Sequence, residues 1–586
     1  MSSATRINNT TTGQFDQVTA LSQDIINGQL ANYWKSHAEL QVIKGAPGVE
    51  DYQSKFSANL DPFSITIPAS QNNFSTVLFF INIKTGTWTL NYVGEAEGED
   101  QEIILDGWKI CFGVDMGFSE VPEEEREKVK KALGIKAADY SIQSLFLNFN
   151  SADLTKIRGD KSSFGRYDFK NLKEEIQDAF AITLNKFVKR NLSTKASKLC
   201  YHGTAGNATK LNPIQPTFPP SQVIYQTYPY KLSNGADVVP GSADSGRNSL
   251  LYLEMCGDKA EIPTDTLLRY SGNFVTNGDD GKPKVNGSMH ISRTLFFDQF
   301  LLPLLQEYNF KTQIVPTYAK NDLSGLAFKF SWNYKCGYND DHTSPKDSHY
   351  KFNHNPGSEH QFTWYKDSTK KDNAGATSIV RSWLEVTGSG NNKLKYTPGS
   401  NYLDFKSESY YYVNMKNEQI GIDNENWIKV WTGFDMRMTL SPVSNGCLEI
   451  KVTYPIAGNP NNTSLKDAIW ARGETKATSM FDSNPQDQSG YFKQKFINLL
   501  ASDSWFSSRL ERALSEHRFI FPGTGTFLFK NPCFNKNGDL MAELEYAPEQ
   551  SNPTTQAANS TNLPPIPEVN DPGNSAASLS GKAKKQ

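Results

Sequence analysis

The side chains best suited to chemistry crowd into one stretch, YNDDHTSPKDSHYKFNHNPGSEH. There His342, His349, His354 and His360 mingle with Asp340, Asp341, Asp347 and Glu359. Imidazoles and carboxylates together could ligate a divalent metal or serve as a general acid–base pair. A metal site needs ligands converging from rigid elements, whereas these histidines are seven, five and six residues apart in a polar run. They read as a solvated loop. The acidic segment DSNPQDQSG around Asp482 fails as a calcium loop, because Asp487 occupies the sixth position, where glycine makes the turn. No G-x-S-x-G, G-x-x-x-x-G-K-[ST] or H-E-x-x-H occurs. Gly523 and Gly525 in FPGTGTFLF lack a third glycine and precede a strand-like run, so they read as a turn. A non-enzyme without cofactor or metal is expected.

Composition narrows the partners. The chain has 586 residues, a net charge of -3 and 37% apolar residues, with a mean hydropathy of -0.55. Such a charge supplies no basic field for nucleic acid or an anionic membrane. Cys111, Cys200, Cys256, Cys336, Cys447 and Cys533 lie far apart with no CxxC pair, which argues against a zinc ribbon or a disulfide framework. The start, MSSATRINNTTTGQFDQ, has no apolar core of a secretory signal, and no transmembrane run follows. A soluble, cytoplasmic protein is expected.

Against that hydrophilic background one stretch stands out: SRTLFFDQFLLPLLQEY, residues 292–308. Leu295, Phe296, Phe297, Phe300, Leu301, Leu302, Leu304 and Leu305 cover most of the circumference of a helix. A helix apolar nearly all round is either buried on all sides or walls an apolar cavity. It is too short for a bilayer, which needs about 20 apolar residues.

Other elements must position that helix. In FDQVTALSQDIINGQLANYW, Phe15, Val18, Leu21, Ile25, Ile26, Leu30 and Tyr33 recur at helical steps, predicting a helix. FSTVLFFINIKTGTWTLNYVGE predicts a hairpin turning at Thr85-Gly86. DGWKICFGVDMGF alternates Trp108, Ile110, Phe112, Val114, Met116 and Phe118 with smaller or polar residues, predicting a long antiparallel strand. A charged helix follows Pro122, and an amphipathic one lies near 170–190 with Leu172, Ile176, Phe180, Leu184, Phe187 and Val188 on one stripe. From 321 onward strands dominate, then two short helices at 491–501 and 504–516, then a closing strand pair turning at Asn537-Gly538. The domains read as a loose N-terminus, 1–13; a first half, 14–202; a Pro/Gly-rich crossing, 203–248; a second half, 249–548, with a polar insertion at 337–376; and a disordered tail, 549–586. The class is α+β, with long antiparallel sheets against a few apolar helices.

Three phrases carry a family resemblance. Phe15-Asp16-Gln17-Val18 with Ile26-Asn27 and Leu30 opens the body; Ile291-Ser292-Arg293 and Leu302-Pro303 frame the apolar helix; Pro522-Gly523 and Tyr546 mark the close. In that order they resemble the forty-seven-kilodalton accessory proteins and OrfX proteins encoded beside clostridial neurotoxins. Phe15 departs from that family's tryptophan, and the chain adds polar insertions and a tail. The resemblance implies the tubular lipid-binding fold, in which strongly curved antiparallel sheets wrap long helices in an elongated body and leave a groove for acyl chains. Groove walls are then expected from Phe296, Phe300, Leu301, Leu304 and Leu305, facing Trp108, Phe112 and Met116 of a strand. The expected function is non-enzymatic binding of lipid or another apolar ligand. The alternatives are a structural or assembly protein of a larger, toxin-associated complex with a filled core, and a hydrolase or carbohydrate binder working through aromatic-rich loops.

Overall fold

The computed structural model describes residues 3–68, 76–94, 99–115, 157–188 except 168, 218–453 with short interruptions, 466–472, 519–520 and 527–546. Antiparallel sheets dominate and helices are few, so the α+β class holds. Every pairing between described strands is antiparallel, and the sheets are open rather than closed.

A six-stranded sheet takes Phe527–Phe534, Leu540–Tyr546, Gly287–Ile291, Gln17–Ser22, Ser249–Cys256 and Pro220–Tyr228 in that spatial order. The opening element is therefore not all helix. Gln17–Ser22 is a strand buried along its whole length, and the helix starts at Gln23 and runs to Ser36. The strand buries Gln17 and Thr19 as well as Val18 and Ala20, and six residues are too short a run to outweigh the three- and four-residue steps from Val18 through Leu21 to Ile25. Ser22 makes the switch, its Oγ accepting from the Ile25 N–H at 3.3 Å. Ahead of this strand the expected loose N-terminus is instead engaged. Residues Ser3–Asn9 are helical, Arg6 pairs with Glu543 at 2.9 Å, and Asn535 Nδ2 donates to the Thr10 carbonyl at 2.9 Å. Those partners lie more than 500 residues away in sequence, where local composition carries no information about them.

A five-stranded sheet contains Val42–Gly45, Tyr52–Thr66, Thr76–Tyr92, Gln101–Ile104 and Lys109–Asp115. The expected hairpin at Thr85-Gly86 is instead one continuous strand, Thr76–Tyr92. Gly86 serves close approach there: a Cβ on it would stand 2.9 Å from the Ser57 carbonyl oxygen and from Ala58 Cβ. The amphipathic helix, Glu174–Val188, lays Ile176, Phe180, Leu184, Phe187 and Val188 into this sheet.

The third large sheet has eight strands, led by Gln361–Thr377, Val380–Tyr396, Tyr402–Gln419 and Ile422–Pro442. Their registers run in step for 16 or more residues, and along Val380–Tyr396 buried residues alternate with half-buried or exposed ones over much of the strand. Part of the expected polar insertion is thus a strand, because Gln361–Thr377 pairs along Val380–Tyr396 and turns its polar residues outward. A separate pair, Ile314–Ser324 and Lys329–Tyr338, is tied to this sheet by Trp332 Nε1 donating to Ser382 Oγ at 2.9 Å. The closing pair turns as expected, with Gly538 at φ +86. The charged helix after Pro122, the helices at 491–501 and 504–516, the Asp482 segment, the FPGTG turn and the 549–586 tail lie outside the described residues.

Candidate apolar site

The apolar stretch folds as a π-helix, Thr294–Leu301, continuing into an α-helix, Leu302–Thr312. The i→i+5 bonding of a π segment widens its repeat. Thr294, Asp298, Gln299 and Pro303 consequently fall on one exposed line, while Leu295, Phe296, Phe297, Leu301 and Leu305 are buried. Pro303 sits at the junction of the two segments, where it offers no N–H to the preceding π turn. At the start of the helix Ser292 accepts from the Leu295 N–H at 3.2 Å through Oγ and from the Phe296 N–H at 3.0 Å through its carbonyl. The Arg293 N–H reaches Asp539 Oδ1 at 3.0 Å, and burial raises that carboxyl above the usual range. The Ile291-Ser292-Arg293 phrase thereby pins the helix to the six-stranded sheet and the closing turn.

The far end is pinned to the eight-stranded sheet. Asn392 Nδ2 donates to Asn309 Oδ1 at 2.7 Å and to Thr312 Oγ1 at 2.8 Å, and Ser409 Oγ donates to the Thr312 carbonyl. Gly388 lets the chain come this close, since a Cβ there would fall on the Ile314 carbonyl. Between the ends the contacts are aromatic. Phe297 lies 4.7 Å from Phe362 and 5.5 Å from both Tyr396 and Phe534, centroid to centroid, and Tyr308 lies 5.8 Å from Phe405. Phe300 and Leu304 are only half-buried, and Phe300 meets the half-buried Phe218 edge-on at 5.6 Å.

The expected groove residues divide between two places. Phe296, Phe300, Leu301, Leu304 and Leu305 share the 294–312 helix. Trp108, just ahead of Lys109–Asp115, and Phe112 within that strand are fully buried, and the ring neighbours of Trp108 include Phe180 at 5.6 Å, Phe164 at 5.1 Å and Phe169 at 6.3 Å. The strand expected to face the 294–312 helix thus packs its tryptophan on the 174–188 helix. Both groups still belong to one contiguous apolar cluster. Met116 lies outside the described residues. So do His342, Asp340, Asp341, Asp347 and Glu359, while the remaining histidines of that stretch make ordinary contacts. His354 Nε2 is 3.3 Å from Arg293 Nη1, and His360 Nδ1 is 3.2 Å from Tyr396 Oη. Among the described residues no three His, Cys, Asp or Glu side chains converge in a way that could hold a metal.

The sequence reading passed over a buried polar cluster beside Phe218. Gln17 and Glu254 are register partners on neighbouring strands and are 0% and 1% exposed. Gln17 Nε2 donates to the Phe218 carbonyl at 2.9 Å and lies 2.7 Å from Cys256 Sγ, leaving Gln17 Oε1 and Glu254 Oε2 without partners. Burial pushes the Glu254 carboxyl up to about 8 and the Cys256 thiol far above its ordinary range. Asp16 is raised too, by burial, against the pull of the Cys256 N–H that it accepts at 2.9 Å. A glutamate inside the apolar run LLYLEM was the available signal. The described cysteines, Cys111, Cys256, Cys336 and Cys533, are free, and burial lifts Cys111 to about 11 and Cys336 to about 12.

No family model and no curated protein matches the chain. Among solved structures, P47 from Clostridium botulinum A2 is similar at a TM-score of 0.39 and 10% identity, covering 92% of this chain and 98% of its own. A lipopolysaccharide binding protein is similar at a TM-score of 0.34 and 8% identity, covering 91% of this chain and 99% of its own. Scores and identities this low do not establish a family. No helix among the described residues is long and apolar enough to cross a membrane.

Proposed function

We propose that this protein binds a lipid or another apolar ligand, without catalysis, in a groove between the 294–312 helix and the sheets it touches, as in a tubular lipid-binding arrangement. The observation that supports this is the incomplete cover of Phe300, Leu304 and Phe218 beside an otherwise fully packed aromatic cluster. Each methylene that an acyl chain buried there would be worth about 0.8 kcal/mol, so a short contact would suffice after ordering costs. The test is native mass spectrometry of the purified full chain, with organic extraction and uptake of a fluorescent fatty-acid probe. Bound lipid, displaced by the probe, is the expected result; an empty extract with no probe uptake refutes it.

The tight packing of Phe296 and Phe297 on Phe534, Phe362 and Tyr396 favours a second reading, a filled core in an assembly subunit. A stable protein partner recovered with an empty extract selects that reading.

A further inference from the structure

The unpartnered polar atoms beside Phe218 specify more than an apolar ligand. Gln17 Oε1 and Glu254 Oε2 belong to side chains on the same sheet face, because register partners of an antiparallel pair point to one side. Both side chains are sealed from solvent, and buried polar groups in native proteins are nearly always hydrogen-bonded. Phe218 links this pair to the half-covered helix, its carbonyl on Gln17 and its ring on Phe300.

We propose that Gln17 and Glu254 hold the hydroxyl head of an uncharged amphipathic lipid, such as a monoacylglycerol or a long-chain alcohol, whose apolar body lies against Phe218 and Phe300. The assignment rests on the lipid-binding reading of the same site. Its chemistry follows from what each group can give. The Gln17 amide has committed its N–H to Phe218 and Cys256, so its oxygen can only accept. Glu254 stays protonated through neutral pH and has a proton to donate. A hydroxyl can both accept from Glu254 and donate to Gln17. A carboxylate or phosphate head would set a negative oxygen against the Gln17 oxygen and near Asp16, whose carboxylate already holds the Cys256 N–H. An ammonium head could accept nothing from Glu254.

The experiment titrates the full chain with 1-oleoylglycerol and with oleate at pH 7, by displacement of a fluorescent acyl probe. The wild type is expected to bind oleoylglycerol at least about tenfold more tightly, the worth of one well-made hydrogen bond. Gln17→Leu and Glu254→Leu should bring the preference to within about twofold, and Glu254→Gln, which still offers a donor, should retain most of it. Equal affinities in the wild type overturn the proposal even if both leucine variants fail to fold. So does a preference that survives in both leucine variants, which would leave a bound water as the hydroxyl. Oleate binding more tightly than oleoylglycerol overturns it but leaves the lipid reading standing; no binding of either ligand ends both.

Discussion

Glu254 makes folding stability depend on pH in a direction opposite to that of most carboxylates. Its ordinary value of 4.5 applies in the unfolded chain, and burial alone raises it to about 8 in the fold. The folded state therefore holds a proton that the unfolded state has released between those values. By linkage, stability falls as pH rises through that window and is level below pH 4.5 and above about 8. The gap, at about 1.4 kcal/mol per pH unit, sets the total loss at roughly 5 kcal/mol as an upper limit. Glu254→Gln keeps the shape and removes the titration, so the difference between variant and wild type isolates this one group. The subtraction is needed because other groups titrate nearby. Fully buried His290, held well below its ordinary 6.5, loses its contribution as pH falls and slopes the other way. Urea unfolding at pH 5, 6.5, 8 and 9 measures the difference. The variant should gain several kcal/mol on the wild type between pH 5 and pH 8 and nothing further by pH 9. Parallel curves across that range would refute the buried, proton-holding Glu254.

Four further substitutions test the packing and capping described above. Gly388→Ala sets a methyl on the Ile314 carbonyl and should destabilise the chain by about 2–3 kcal/mol through overpacking, read as a lowered urea midpoint at unchanged slope. Phe297→Ala opens a cavity among Phe362, Tyr396 and Phe534 and should cost about 3–5 kcal/mol. The half-buried Phe300→Ala should cost about 1 kcal/mol yet weaken acyl-probe binding severalfold, so equal stability losses for the two would contradict their different burial. Ser22→Ala removes the cap at the strand-to-helix switch and should cost about 1 kcal/mol, with exchange protection lost first in the amides of residues 23–26.

What could be read from the residues alone follows from which periodicity survived burial. The two strands Val380–Tyr396 and Tyr402–Gln419 were legible because one side is more deeply buried than the other, so Leu384, Val386 and Met415 alternate with the half-buried Glu385, Asn414 and Lys416. The 174–188 helix was legible for the matching reason at period 3.6. Gln17–Ser22 was not, since it is six residues long, buries its polar Gln17 and Thr19 too, and runs straight into a helix whose spacing it extends. Gly86 was misread because glycine marks a turn and a close approach alike, and only the neighbouring Ala58 distinguishes them. For the candidate site, the helical wall was visible as an apolar run. Which strand faces it was not, because Trp108 finds Phe180 through contacts that no local pattern encodes. The Gln17–Glu254 pair was invisible for the same reason, being formed across more than 200 residues of chain.

The position of Gln17–Ser22 has a consequence for biosynthesis. This strand lies between Ser249–Cys256 and Gly287–Ile291, and the latter is flanked by Leu540–Tyr546. At about 5–20 residues per second, the ribosome leaves both edges of the first strand unpaired for roughly 10–50 seconds before its partner emerges. The sheet is complete only when nearly the whole body has been made. The nascent chain therefore carries this strand with unpaired edges through roughly the first half of its synthesis, an exposure that final stability does not offset.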